Sequence, residues 1–493
     1  MEIPLNQVLN PTNEQRQEII RNSLETAGRP EDYEYIVRLL SPPPDITNYA
    51  QPGELKGVKI GVIGGGLAGL SAAFELRKLG ADITILEAND SRIGGRVYTY
   101  YFDAEGKYYN EFGAHRIPVT HQTTWHYINL FGLNTLPLTL RKRNNFLYVH
   151  NTRLRTTDSI EQILYPLYNL TPQEQNTPWP ELNYAETVQE EYTMDYRNTY
   201  TIEGGIVNLP YAFIQSFYTD KPPQYQTIPS SRLGTVTYWP GQTVTGIYEM
   251  QNSSKIVLTH RNVQDLSSTA EAYDYVVCAI PYSTLREVDI KPRFSNRKMQ
   301  AILEYNYTNS QKTFFLCKER FWEQDTDYGR MVGGFSRTDL PIQYIFYPGD
   351  HLLCPDLSSC PPHEPGVLTA SYNYHMNATR VGNMKENLRF EYIKESVEEV
   401  HGLPGGFLDS IVADHKTVVW DNEPYNRGAF AESLPGQKQL FAYEILKPEF
   451  NQRIFFAGEH LSTKHAWMQG ALYTGMNAAN QLACSFHNYS FFI

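Results

Sequence analysis

The sequence predicts an α/β fold: a parallel-sheet domain assembled from discontinuous stretches of chain, with an inserted α+β domain and a helical subdomain. Three observations carry this reading. The segment VKIGVIGGGLAGLSAAFELRKLGADITILEAN at 58–89 reads as strand, glycine turn, helix and second strand. Beyond Arg96 that alternation is lost for most of the chain. The stretch RIFFAGEHLSTKHAWMQGALYTGMNAANQLA at 453–483 then returns to it.

In the first segment, each glycine has a mechanical reason. Gly64 allows the strand to turn sharply, Gly66 removes a side chain where backbone must approach a pyrophosphate, and Gly69 lets the helix sit close on the sheet. A diphosphate would rest on the free N–H groups of that helix N-terminus. Glu87 ends the second strand 18 residues after Gly69, where an acid takes the hydroxyls of an adenosine ribose. Strand, turn, helix, strand and acid in that order specify a dinucleotide site.

Ahead of this motif, residues 1–57 read as a helical arm. Thr12 and Gln15 form a T-x-x-Q capping box before EIIRNSLET, and Pro30 opens a second helix, EDYEYIVRLL, which the SPPP run at 41–44 stops. Ile19, Ile20, Leu24, Ile36, Leu39 and Leu40 require burial, so the arm is expected to pack on the body. In the middle of the chain, NNFLYVHNTRL, KIVLTHRN and DYVVCAIP read as strands, and IEQILYPLY and NRKMQAILEYN as helices. The Tyr-, Pro-, Gln- and Thr-rich stretch from 174 to 230 reads as long surface loops. In the final stretch, a strand at 453–457 leads into an Ala-rich helix from Met468, in which Gly470, Ala471, Gly475, Ala478 and Ala479 form a close-packing face. The expected division is 1–57, helical arm; 58–120, first nucleotide-binding segment; 121–230, helical and substrate-binding part; 231–290, second nucleotide-binding segment; 291–415, substrate-binding domain; 416–493, C-terminal nucleotide-binding segment.

At 493 residues the chain is long for a single core. Its formal charge of −12 argues against nucleic acid or an anionic membrane as partner. No run of 18 apolar residues and no leader-like N-terminus is present, so the chain reads as soluble and cytoplasmic as written, with secretion left open. Cys278, Cys317, Cys354, Cys360 and Cys484 form a sparse, odd set read as reduced and structural, although Cys354 and Cys360 flank a PDLSS loop that leaves pairing open. His460 and His465 find no further ligands, and no metal site is expected.

Several motifs in a fixed order resemble one family. GVIGGGLAGL, EANDSRIGGR, EGGIVNLP at 203–210, DYVVCAIP at 274–281, and FAGEH with HAWMQGALYTG are similar to those of the flavin-dependent amine oxidases, and within them the L-amino acid oxidases, over about 56–484. The resemblance implies a discontinuous Rossmann-type FAD-binding domain, a substrate domain and an added helical part. It further implies that Gly64, Gly66, Gly69, Glu87 and Ala88 hold the adenosine diphosphate half of FAD, with Gly95 and Arg96 beside the pyrophosphate, where a guanidinium forks onto oxygens. Val244 resembles the valine whose backbone meets the adenine. Glu459, after Gly458, matches the acid of the ribityl and phosphate region, Met468 offers a main-chain N–H to the flavin carbonyl, and Gly113, Ala114 and Trp420 flank the cofactor.

Arg116, in EFGAHRIP, resembles the arginine that clamps an amino acid carboxylate in a bidentate pair. Tyr372 resembles the tyrosine donating to the same carboxylate, with Ser371 or Tyr374 as alternatives one alignment slip away. Ala466 stands where a backbone carbonyl takes the substrate amine, and Trp467 is the neighbouring aromatic. Lys312 corresponds to the lysine that holds a water near flavin N5. The histidine that some members place above the substrate has no matching position, so no protein general base is expected. The loop where monoamine oxidases attach flavin lacks a cysteine, implying non-covalent FAD. The implied reaction converts an L-amino acid, by hydride transfer, into a 2-oxo acid, ammonia and hydrogen peroxide, with O2 as acceptor, in an enzyme that is commonly a homodimer. The rival readings are another amine or polyamine oxidase, an amino acid monooxygenase, and a non-catalytic nucleotide-fold binding protein.

Overall fold

A computed structural model of the protein describes residues 7–138, 144–156, 158, 163, 166, 184–251, 253–324, 330–354 and 358–487. The strands Lys59–Ile63 and Asp82–Leu86 form where the pattern places them, joined by the helix Leu67–Lys78. They belong to a five-stranded sheet in the order Thr235–Trp239, Asp82–Leu86, Lys59–Ile63, Tyr275–Cys278, Ile454–Phe456, parallel throughout. Three of its strands thus come from beyond residue 230. Both faces are covered, as parallel sheets require: Ile60 and Val62 join a core with the helices, and Ile63 joins a second core on the opposite face. That second core lies under a four-stranded sheet ordered Ser268–Tyr273, Ile256–Asn262, Gln242–Glu249, Asp289–Lys291.

The C-terminal helix Met468–Phe486 lies against Leu67–Lys78 at its small residues. A Cβ on Gly475 would sit 2.0 Å from Ser71 Oγ and 2.3 Å from the Ala68 carbonyl, so only glycine permits this approach. The arm closes the outside of the layer. Its capping box forms between Thr12 and Gln15, and Ile20, Leu24, Ile36 and Leu40 are buried in the same core as both helices. Arg16 is buried with its guanidinium 4.3 Å over the Trp125 ring. Gln469, beside the start of the C-terminal helix, donates to the Leu40 carbonyl at 2.8 Å and accepts from Thr124 N at 3.2 Å. The arm therefore braces the helix end that carries Trp467 and Met468.

The inserted part is a seven-stranded mixed sheet running Val412–Val419, Ser310–Cys317, Gly366–Tyr374, Tyr344–Phe346, Phe335–Thr338, Phe146–Val149, Thr152–Arg155. One face is covered by the helix Glu386–His401. Two expectations need correction. Within 174–230 the described residues form a helix Tyr184–Tyr192, a strand Thr199–Ile202 and a helix Asn208–Tyr218 rather than long loops. The Pro that discourages a helical reading there, Pro210, falls in the first turn of the last helix, where no intrahelical N–H is needed. Cys354 and Cys360 are joined as a disulfide with Cα atoms 6.1 Å apart, while Cys278, Cys317 and Cys484 are free and buried. The helix expected over IEQILYPLY falls almost wholly outside the described residues. Among the described residues no helix is long and apolar enough to cross a membrane.

Because Leu24 is fully buried in the shared core, Leu24→Ala is expected to lower stability by about 2–5 kcal/mol. Urea unfolding should show one displaced transition for arm and body together; an unchanged midpoint would mean that the arm folds apart from the body.

Candidate active site

A cavity of about 1000 Å³ opens at the carboxyl ends of the parallel strands, beside Ile63 and Leu86, where open α/β sheets hold their ligands. It runs from Val244 at one end, past the glycine turn and Arg96, to Arg116, Tyr372 and Trp467. Its wall includes Gly64, Gly66, Glu87, Ala88, Gly95, Gly113, Ala114, Trp420, Gly458, Glu459, Ala466 and Met468. Of the site residues expected from the sequence, Gly69, Lys312 and the alternative Ser371 stand behind the wall.

The nucleotide end has the shape a dinucleotide needs. Gly64 has a φ of +100°, the left-handed geometry that favours glycine. A Cβ on Gly66 would meet no protein atom closer than 4.0 Å, so the space before it belongs to the cavity. One on Gly69 would lie 2.0 Å from the Gly64 carbonyl, so Gly69 serves helix packing. The helix begins at Gly66 with no side-chain cap, leaving its N–H groups for an anion. Glu87 is buried and accepts from Gly65 N and Asn89 N, both at 2.7 Å, tying the turn to the second strand; burial raises its pKa against those two bonds. A register shift between Val244 and Gly246 interrupts the ladder beside the cavity.

Glu459 joins three distant segments. Its Oε1 is 2.7 Å from Arg96 Nη1 and accepts from Ala431 N at 3.0 Å, and its Oε2 accepts from Ala466 N at 3.0 Å. Burial alone would raise the carboxyl, but Arg96 and the nearby His465 and His460 bring it to about 2. Ala466 has a φ of +63°, uncommon for a residue with a side chain and a mark of an over-determined site. The C-terminal helix starts just after it at Met468, again without a side-chain cap, so the N–H of Met468 lies at an open helix end on the cavity wall. Trp420 is buried, with its indole N–H donating to the Phe112 carbonyl at 3.2 Å.

At the other end Arg116 is half-buried, and among the described residues no carboxylate lies within ion-pair distance of it. Rings surround it instead: its guanidinium carbon is 5.3 Å from the Tyr196 centroid and 5.9 Å from that of Trp467. Tyr372 adjoins it: burial raises the pKa of the phenol and the Arg116 charge opposes that rise. Tyr372 and Tyr374 line the cavity as i, i+2 neighbours of one strand, with centroids 4.6 Å apart. Ser371 points to the opposite face and donates to Gln311 Oε1 at 2.9 Å, so of the three aligned alternatives it alone is removed from the cavity. Glu190 and Tyr196, which the motifs do not reveal, complete this wall: Glu190 accepts from Trp467 Nε1 at 2.7 Å and Tyr196 OH at 2.9 Å.

Lys312 is buried in the strand Ser310–Cys317, opposite Tyr372 in register. Its Nζ lies 2.8 Å from the Glu111 carbonyl, 3.0 Å from the Gly113 carbonyl and 3.4 Å from His115 Nδ1. The amine is thus surrounded by two carbonyl acceptors and an imidazole nitrogen whose role is set by its tautomer. Burial and then repulsion from Arg116 lower its pKa to about 7. His115, also unflagged by sequence, lines the cavity beside Arg116.

The family model described as flavin containing amine oxidoreductase matches residues 67–201 and 181–483. A Bacillus subtilis (strain 168) protein named "Putative L-amino-acid oxidase YobN" is 30% identical over 85% of this chain and 94% of its own length. An L-amino-acid oxidase of Vipera ammodytes ammodytes is 26% identical, covering 94% of this chain and 99% of its own. A solved putrescine oxidase, wild type bound to putrescine, superposes with a TM-score of 0.60 at 14% identity over 86% of this chain and 98% of that one, a likeness of fold. The chain belongs to the flavin-containing amine oxidoreductases, mixed α/β enzymes whose flavin cofactor is FAD.

Proposed function

We propose that the enzyme is an L-amino acid oxidase, converting an L-amino acid, water and O2 into a 2-oxo acid, ammonia and hydrogen peroxide. The observation that carries this reading is Arg116, a cavity guanidinium framed by aromatic rings with no carboxylate of its own among the described residues. Such a group is a ready partner for a substrate carboxylate, and Tyr372 is within reach of the same anion. An amine substrate without a carboxylate would leave this cation unpaired. The Ala466 carbonyl, turned by its left-handed backbone, would take the amine, and Trp467, held by Glu190, would wall the site. Three fixed points select one hand at the α-carbon. Bound FAD supplies the hydride acceptor and, through O2, the route to peroxide.

The cofactor is held non-covalently in this reading. None of the five cysteines lines the cavity: three are free and buried elsewhere, and two form the disulfide. Grip therefore rests on backbone approach at Gly66, the two open helix ends and the charges of Arg96 and Glu87. Gly66→Ala should leave the stability of FAD-free protein within about 0.5 kcal/mol while weakening FAD binding at least tenfold. Gly69→Ala, whose Cβ collides with backbone, should instead destabilise the fold by about 1–3 kcal/mol. Flavin titration and thermal unfolding of the two variants separate these effects.

A peroxide-coupled assay with L- and D-amino acids tests the activity, and mass spectrometry of the product distinguishes a 2-oxo acid from the amide of a monooxygenase. Arg116→Ala should keep FAD but lose about 3 kcal/mol of substrate stabilisation, on the order of 10² in kcat/KM. Full activity in that variant, or better oxidation of putrescine than of any L-amino acid, would sink the reading.

A further inference from the structure

An amino acid reaches the cavity as an ammonium, while hydride loss requires a neutral amine. One proton must leave. Glu459 is wrapped by Arg96 and two backbone N–H groups at a pKa of about 2, and Glu87 lies at the nucleotide end. Both oxygens of Glu190 accept from Trp467 and Tyr196. His115 is different: it lines the cavity next to Arg116, and its Nδ1 is 3.4 Å from the Nζ of Lys312, which lies behind the wall. Its ring is framed by Phe346 and Tyr372, with centroids at 5.8 and 5.9 Å. His115 is thus the imidazole that bridges a buried amine to the substrate space.

Resting on the reading of the enzyme as an L-amino acid oxidase, we propose that His115 and Lys312 form one proton acceptor for the substrate ammonium, with His115 the relay and Lys312 the terminal base. The ammonium N–H bond breaks and its proton forms an N–H bond at Nε2 of His115. The Nδ1 proton passes to the neutral amine of Lys312, which ends as an ammonium solvated by the Glu111 and Gly113 carbonyls. The substrate nitrogen keeps its lone pair, and no electrons are transferred.

The groups facing the pair are Glu111, Arg116, Tyr372 and Tyr374. Glu111 accepts from Thr99 Oγ and Ile206 N, and burial raises it to about 7. Tyr372 lies under Lys312 at 4.4 Å from ring centroid to Nζ, and Tyr374 adjoins Tyr372. Burial, and then repulsion from the nearby Arg116 cation, hold His115 well below its ordinary value and bring Lys312 to about 7. A substrate carboxylate on Arg116 cancels that repulsion. Binding of the acid end thereby readies the base for the amine end.

The test compares holoenzyme with His115→Asn and His115→Phe, flavin absorbance serving as the check on folding. Wild-type kcat/KM should level off above an acid limb near neutral pH. Each variant should fall on the order of 10² at pH 7 and recover toward wild type as the substrate amine loses its own proton above about pH 9. Benzoate, a carboxylate without an amine, supplies a second readout: calorimetry in two buffers of different ionisation enthalpy should show proton uptake on binding at pH 7, lost in Lys312→Met. A loss equal at every pH in both His115 variants, or uptake unchanged in Lys312→Met, overturns the proposal. Proton uptake with benzoate in a wild type that oxidises no L-amino acid would support the coupled pair and refute the substrate reading alone.

Discussion

The buried carboxylate of Glu459 holds the site together. It anchors Arg96 from the first nucleotide-binding segment, Ala431 from the strand returning out of the inserted sheet, and Ala466 from the loop before the C-terminal helix. No two of these lie close in sequence. A buried ion pair of this kind is costly to break from one side, by about 3–5 kcal/mol, because the remaining charge has nowhere to go. The left-handed backbone at Ala466 persists under the same restraint.

From that junction the cavity divides electrostatically. The nucleotide half offers two uncapped helix ends and backbone N–H groups, suited to an anion approached closely. The substrate half offers a guanidinium whose neighbours are rings, and a lysine whose neighbours are carbonyls and an imidazole. Arg116 adds to burial in depressing the proton affinity of His115 and Lys312 beside it. The helical arm contributes from outside. Through Gln469 and Leu40 it fixes the end of the helix that begins at Met468.

Much of the cofactor half was legible because its logic is local. Gly64, Gly66, Gly69 and Glu87 act within one strand-turn-helix-strand unit, so spacing along the chain is spacing in space. Arg116 and Lys312 were found through family motifs, since a single arginine or a lysine in a strand has no local signature. His115 and Glu190 escaped for the same reason: one gains meaning from Lys312, almost 200 residues away, the other from Trp467, further still. The helices and strand within 184–218 were hidden by a Tyr- and Pro-rich composition that tertiary burial outweighs.

The sequence by itself determined the nucleotide fold and the flavin class, because glycine geometry, helix ends and motif order survive without long-range contacts. Only the tertiary structure decided which of Ser371, Tyr372 and Tyr374 face the cavity, that Cys354 joins Cys360, that Arg116 lacks an acidic partner among the described residues, and that Lys312 reaches the cavity through His115. Those outcomes depend on strand facing, on the pairing of strands remote in the chain and on what burial does to charge, and none of these is written at any one position.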